Sequence, residues 1–178
     1  MRNKAFGALA FAAGLAILVI AVKAINWIPL IAQKDLMRRY GDFEEMRTAV
    51  GIRQVFVPSY FPEDFRWPPA GILAQGKPYP AVIMEFERSG EGNTREVGMM
   101  IYQAARDDFS PGGPLVLSRV REQATYPLKG RSAILEVGVG MKGEPCSRIS
   151  WREKDVRITV LARLTPIELM KVAESMLR

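Results

Sequence analysis

Histidine is missing from this 178-residue chain, and cysteine occurs once. Without an imidazole there is no Ser-His-Asp or Cys-His relay, none of the usual zinc sites, and not the commonest general base near neutral pH. The single thiol, Cys146, cannot close an intramolecular disulfide. A surplus of one charge is also lacking over most of the length. Residues 1–39 hold six Lys/Arg and one Asp, which leaves 19 basic and 18 acidic residues for 40–178. The net +6 is therefore concentrated at the start. The remainder offers no basic stripe for a phosphate backbone, so nucleic acid is excluded as a partner. Repeats, low-complexity tracts and a linker long enough to split residues 34–178 are absent too.

What is present first is an oily run. Ala5–Val22 is 18 residues without a charge, preceded by Arg2 and Lys4, and after Lys23 apolar character resumes to Ala32. About 20 apolar residues cross a bilayer as a helix. The sequence thus predicts an uncleaved signal-anchor in residues 1–33, with lipid contact through 5–32 and Lys23 and Trp27 at the membrane interface. A cleaved secretory signal ending at Val22–Ala24 is the rival reading. It fits less well, because the apolar part exceeds the usual length and Lys23 falls inside the cleavage site. Basic residues flank both sides of the span, but the short basic start resembles an export signal. The expected location is the cell inner membrane, single-pass, with the C-terminal domain facing the periplasm or cell exterior.

Residues 34–178 form the second expected domain. The run from Lys34 to Gly51 has apolar positions at Leu36, Tyr40, Phe43, Met46 and Val50, which predicts an amphipathic helix stopped by Gly51. A β-rich run opens at Ile52, and prolines punctuate it at 58, 62, 68 and 69. Val82, Met84 and Phe86 alternate with Ile83, Glu85 and Glu87; Val97, Met99 and Ile101 give the next strand, and the two runs read as a hairpin. Ala105–Pro114 reads as a loop and Leu115–Val120 as a strand. Ala133–Val139 is another strand. The runs Ser147–Trp151 and Val156–Ala162 read as a last hairpin that sets Trp151 near Val156. A final helix is marked by Thr165 as N-cap, Pro166 at the first position, Glu168 in a capping box, and Leu164 with Leu169 as a staple. The expected fold class is α+β: an antiparallel sheet packed by the two helices, behind a single N-terminal transmembrane helix.

Gly138, Gly140 and Gly143 match the G-x-G-x-x-G spacing that can cradle a dinucleotide. That chemistry needs a helix N-terminus after the glycines. Here a proline and another strand follow, so no nucleotide is expected. The first two glycines suit a bulge or close packing and the third a turn. The carboxylate pairs Glu85/Glu87 and Asp107/Asp108 could in principle do acid–base work. They read instead as a solvated strand face and as turn residues. Cys146 reads as a small buried thiol. The sequence therefore predicts no catalytic residue, cofactor or metal ligand, and no enzyme.

The most distinctive segment is Ser59–Pro69, with Tyr60, Phe61, Phe65 and Trp67 among three prolines. Rigid aromatics of this kind are favoured at interfaces, and they can equally seal one end of a sheet. Together, "GIRQVFVPSYFPEDF", "RISW" and the terminal "TPIELMKVAESM" resemble a family of small bacterial extracytoplasmic domains of unknown function, some of them in anti-sigma-factor-like membrane proteins. The likeness covers about residues 50–178. It implies a domain held outside the membrane behind one N-terminal helix. The function expected is a non-enzymatic membrane protein whose domain binds or braces a membrane-protein partner, as an accessory subunit of a complex. The alternative is a carrier or sensor for a lipid or other apolar ligand, suggested by the Met-rich strand Val97–Tyr102.

Overall fold

A computed structural model describes residues 37–52, 54–89 and 95–177. The expected anchor, including Lys23 and Trp27, lies outside the described residues. Among the described residues no helix is long and apolar enough to cross a membrane. Met37–Arg178 forms one compact unit. It is an eight-stranded, wholly antiparallel sheet with two helices, which bears out the α+β expectation for this part.

The strands are β1 (Arg38–Tyr40), β2 (Gly71–Gln75), β3 (Ala81–Ser89), β4 (Arg95–Ala104), β5 (Leu117–Leu128), β6 (Arg131–Gly140), β7 (Pro145–Glu153) and β8 (Val156–Ala162). Helix α1 is Phe43–Val50 and α2 is Pro166–Ser175. Across the sheet the order is β1-β2-β3-β4-β8-β7-β6-β5. The last strand in sequence thus sits at the centre, paired with β4 on one side and β7 on the other. Side chains alternate between the two faces. One face packs Ile72, Met84, Ile101, Ile149, Trp151, Ile158 and Val160 against Met46 of α1 and Leu169, Val172 and Ala173 of α2. The other buries Ile83, Met100, Tyr102 and Leu161 under Phe109 and Leu115 from the loop between β4 and β5.

Local chemistry explains the helices. Asp42 caps α1 by accepting a bond from the Glu45 N–H at 2.8 Å, and Glu45 in turn accepts from the Gly41 N–H at 2.8 Å. Gly51, at φ 68°, ends the helix as expected, its N–H bonded to Arg47 O. Helix α1 is nevertheless shorter than the expected Lys34–Gly51 helix. Arg38–Tyr40 pair with Ile72–Ala74 as a strand, because the cap at Asp42 starts the helix there and the free edge of β2 takes up the preceding residues. Thr165 caps α2 as expected, accepting the Glu168 N–H at 3.3 Å with Pro166 in the first turn.

The β3–β4 hairpin and the strand at Ala133–Val139 agree with the sequence reading. Two other expectations need correction. The run after Ile52 is not a strand: the Gln103 side chain accepts from the Phe56 N–H at 2.9 Å and donates to its carbonyl, occupying the groups a ladder would use. The strand expected at Leu115–Val120 is β5, which runs on to Leu128. The last hairpin also agrees: Trp151 lies opposite Ile158 and diagonal to Val156 on the same face, because the turn is only Lys154–Asp155 and Glu153 pairs with Val156.

Strand β5 is an edge. Ser118 and Arg121 are extra residues in its ladder, and Arg119, Arg121 and Glu122 are exposed. The Ser118 hydroxyl donates to the carbonyls of Val139 and Gly140 within the first bulge. Gly138 is required opposite this stretch. A Cβ there would lie 1.9 Å from the Arg119 carbonyl oxygen.

Candidate functional site

The aromatic segment lies over the helix-covered side and is held at several points. Ser59 bonds α2 twice, its N–H to the Ser175 hydroxyl at 3.2 Å and its own hydroxyl to the Ser175 carbonyl at 3.0 Å. Phe65 N–H closes a turn onto Pro62 O, and Ala70 N–H bonds Glu85 O. The four aromatics expected to form an interface then separate by burial. Phe65 is buried in the core and Phe61 is half-buried, its ring 5.4 Å from that of Phe86. Tyr60 and Trp67 remain 39% and 45% exposed. Trp67 stacks on Phe43 of α1 with centroids 5.1 Å apart and planes at 13°. The segment therefore both seals the sheet and presents two aromatics outward.

Beside Trp67 lies an open groove of about 400 Å³, walled by Trp67, Pro68 and Pro69 on one side and Glu87, Arg88 and Arg95 on the other. The Arg88 stem on its wall passes over Gly98 in β4, at an irregularity in the pairing with β3. A Cβ on Gly98 would come within 2.4 Å of Arg88 Cδ, so glycine lets the arginine stem cross the strand. Arg88 then donates to the Arg163 carbonyl at 3.3 Å. Arg163 itself is clamped by Glu96 and Glu144. The Arg163 guanidinium holds the Glu96 carboxyl below its usual range, chiefly through their hydrogen bond.

The remaining sequence candidates are dispersed. Glu85 accepts from Arg39 at 2.7 Å, whereas Glu87 is exposed on the groove wall. Gly138 and Gly140 lie in β6 with β7 following, and Gly143 sits in the intervening turn at φ 81°, so the glycine motif joins two strands. Cys146 is buried on the loop-covered face. Burial, reinforced by Glu144 and opposed by Arg163 and Arg148, pushes its thiol up to about 11. Met99 and Met100 fill the cores on opposite faces of the sheet, so packing accounts for the Met-rich strand. Among the described residues no group of three or more Asp, Glu or Cys could hold a metal ion.

Asp107 and Asp108 are engaged as turn residues, but their surroundings were not foreseen. Asp107 pairs with Arg152, and its carbonyl accepts from Arg157 at 2.6 Å; Asp108 pairs with Arg106. Together they rim a cleft of about 240 Å³ on the loop-covered face. Its residues come from β4, β7 and β8 and meet through strand register, with Tyr102 opposite Thr159 and Thr159 opposite Ser150. The only trace in the sequence is the alternation of Arg148, Ser150 and Arg152 with Ile149 and Trp151, which looks like an ordinary solvated face.

Comparison with family models, curated proteins and solved structures returned no match to this chain.

Proposed function

We propose that this protein is a non-enzymatic, single-span membrane protein whose domain binds or braces a partner protein, as an accessory subunit of a membrane complex. In this reading residues 1–33 anchor the chain in the inner membrane. Residues 34–178 face the periplasm or cell exterior, in keeping with the resemblance to bacterial extracytoplasmic domains. The observation that carries the reading is the outward Trp67, 45% exposed yet fixed by its stack on Phe43. A tryptophan immobilised before contact loses little freedom on binding, and tryptophans of this kind dominate interface energies. The alternative of an apolar-ligand carrier gains nothing from the methionines, which are consumed in the two cores.

A photo-reactive residue placed at position 67 of the full chain in its native membrane tests this. A discrete heteromeric adduct is expected from position 67 and none from the turn residue Lys154, which is exposed on a different element. A chain that crosslinks to nothing from position 67, or equally from both positions, overturns the proposal. Cysteine placed at Lys154 also reports sidedness, because the native thiol is buried. An impermeant maleimide is expected to label it from outside.

A further inference from the structure

The cleft on the loop-covered face has an unusual floor. Thr159 and Ser150 are 2% and 4% exposed, and their hydroxyl oxygens lie 3.0 Å apart. Tyr102, 7% exposed, continues the same row one strand over. Burying a hydroxyl in the centre of a sheet costs free energy unless it is hydrogen-bonded. Three hydroxyls in a row across three strands carry three protons, and such a row can use at most two of them internally. One donor is therefore left for whatever occupies the cleft.

The charges around the floor are unequal. Of the four arginines here, Arg148 is held by Glu136 through Nε and Nη2 at 2.6 and 2.9 Å, Arg152 by Asp107, and Arg106 by Asp108. Arg157 alone has no carboxylate partner among the described residues; its one bond goes from Nη1 to the Asp107 carbonyl. With the two rim carboxylates already paired, a single uncompensated positive charge remains beside a free hydroxyl donor. Arg148 also lines the cleft, and the Phe109 ring closes the rim.

We propose that this cleft is a binding site for a small oxyanion, the terminal carboxylate or phosphate of a small molecule. The anion is received by Arg157 and Arg148 and by the hydroxyl row of Tyr102, Thr159 and Ser150. A cation would meet the free guanidinium, and an apolar group would strand the hydroxyl proton; an oxyanion satisfies both. The volume of about 240 Å³ admits the anionic head and a few further atoms. Burial holds the Tyr102 phenol above its ordinary value, so it remains a donor at neutral pH.

Isothermal titration of the full chain in a non-ionic detergent, with inorganic phosphate and with acetate as separate probes, tests this and separates the two anion types. Binding of at least one probe in the millimolar range or tighter is expected. Arg157→Gln should weaken it by about ten-fold or more, and Tyr102→Phe or Ser150→Ala by a smaller factor. Tyr102→Phe keeps the packing intact and so guards against a folding defect in the arginine variant. Arg66→Gln, at the Trp67 groove, should leave binding unchanged. Failure of both probes to bind overturns the inference. So does equal weakening by Arg66→Gln and Arg157→Gln, or binding indifferent to both Arg157→Gln and Tyr102→Phe. None of these outcomes touches the partner reading, which rests on Trp67.

Discussion

The helix-covered face of the sheet is largely apolar from Ile72 near one edge to Leu128 at the other, broken only by the buried side chains of Gln103 and Ser147 among the described residues. The loop-covered face turns from Ile83 and Met100 into Thr159, Ser150 and Arg148 halfway across. Both faces belong to the same strands, so backbone geometry cannot be the cause of the difference. The cover is. Helix α2 brings a continuous apolar stripe of Leu169, Val172 and Ala173 and demands an apolar floor beneath it. The loop after β4 brings two large side chains, Phe109 and Leu115, and beyond their reach the strand face is polar and concave. One side of the sheet is thus committed to stability, and the other divides its area between packing and a cleft.

Truncation on the two sides should bring this out most strongly. Leu169→Ala is expected to destabilise the domain by about 3–4 kcal/mol, because α2 is held by its neighbours and cannot collapse into the void. Phe109→Ala removes a larger side chain yet should cost only about 2 kcal/mol, since a loop can settle onto the sheet. Denaturant unfolding of the two variants side by side measures the gap. Equal losses would break the comparison.

The hydroxyl floor sharpens it further. Ser150→Ala and Thr159→Val should each cost about 1 kcal/mol by orphaning the other hydroxyl, while the double variant should be close to the parent. A double loss equal to the sum of the singles would make the pair part of the packing after all. A further effect concerns pH. The Cys146 thiol is raised from about 9 to about 11, so in that interval the folded chain retains a proton that the unfolded chain releases. Stability should be fully present below pH 9 and decline as pH rises towards 11. Cys146→Ala should flatten this decline in urea-unfolding midpoints measured across the interval.

Features written within a few residues of each other were legible in the sequence. Thr165, Pro166 and Glu168 announce α2, and the alternations at 82–86 and 97–101 announce their hairpin. Features assembled from distant residues were not. Arg38–Tyr40 look helical beside Phe43–Val50, and only the edge of β2, some 34 residues on, makes them a strand. Ile52–Val57 has strand-like composition, but the single side chain of Gln103 takes both backbone hydrogen bonds of Phe56. In the aromatic segment residue type was readable and orientation was not, since Phe65 and Trp67 differ only in which way the chain turns between Pro62 and Ala70. The cleft was the least visible, because Tyr102 meets Thr159 across 57 residues through register alone.

The rims of the sheet carry a last consequence. One ends in a strand of three residues; the other, β5, is twice interrupted by an added residue and studded with arginine and glutamate. Along residues 117–122 a neighbouring chain offered its own strand finds no straight row of amides to zip onto, and Pro127 removes a donor further on. Many copies crowded side by side are thereby discouraged from fusing into a ribbon, which favours the broad sides for any lasting company this domain keeps.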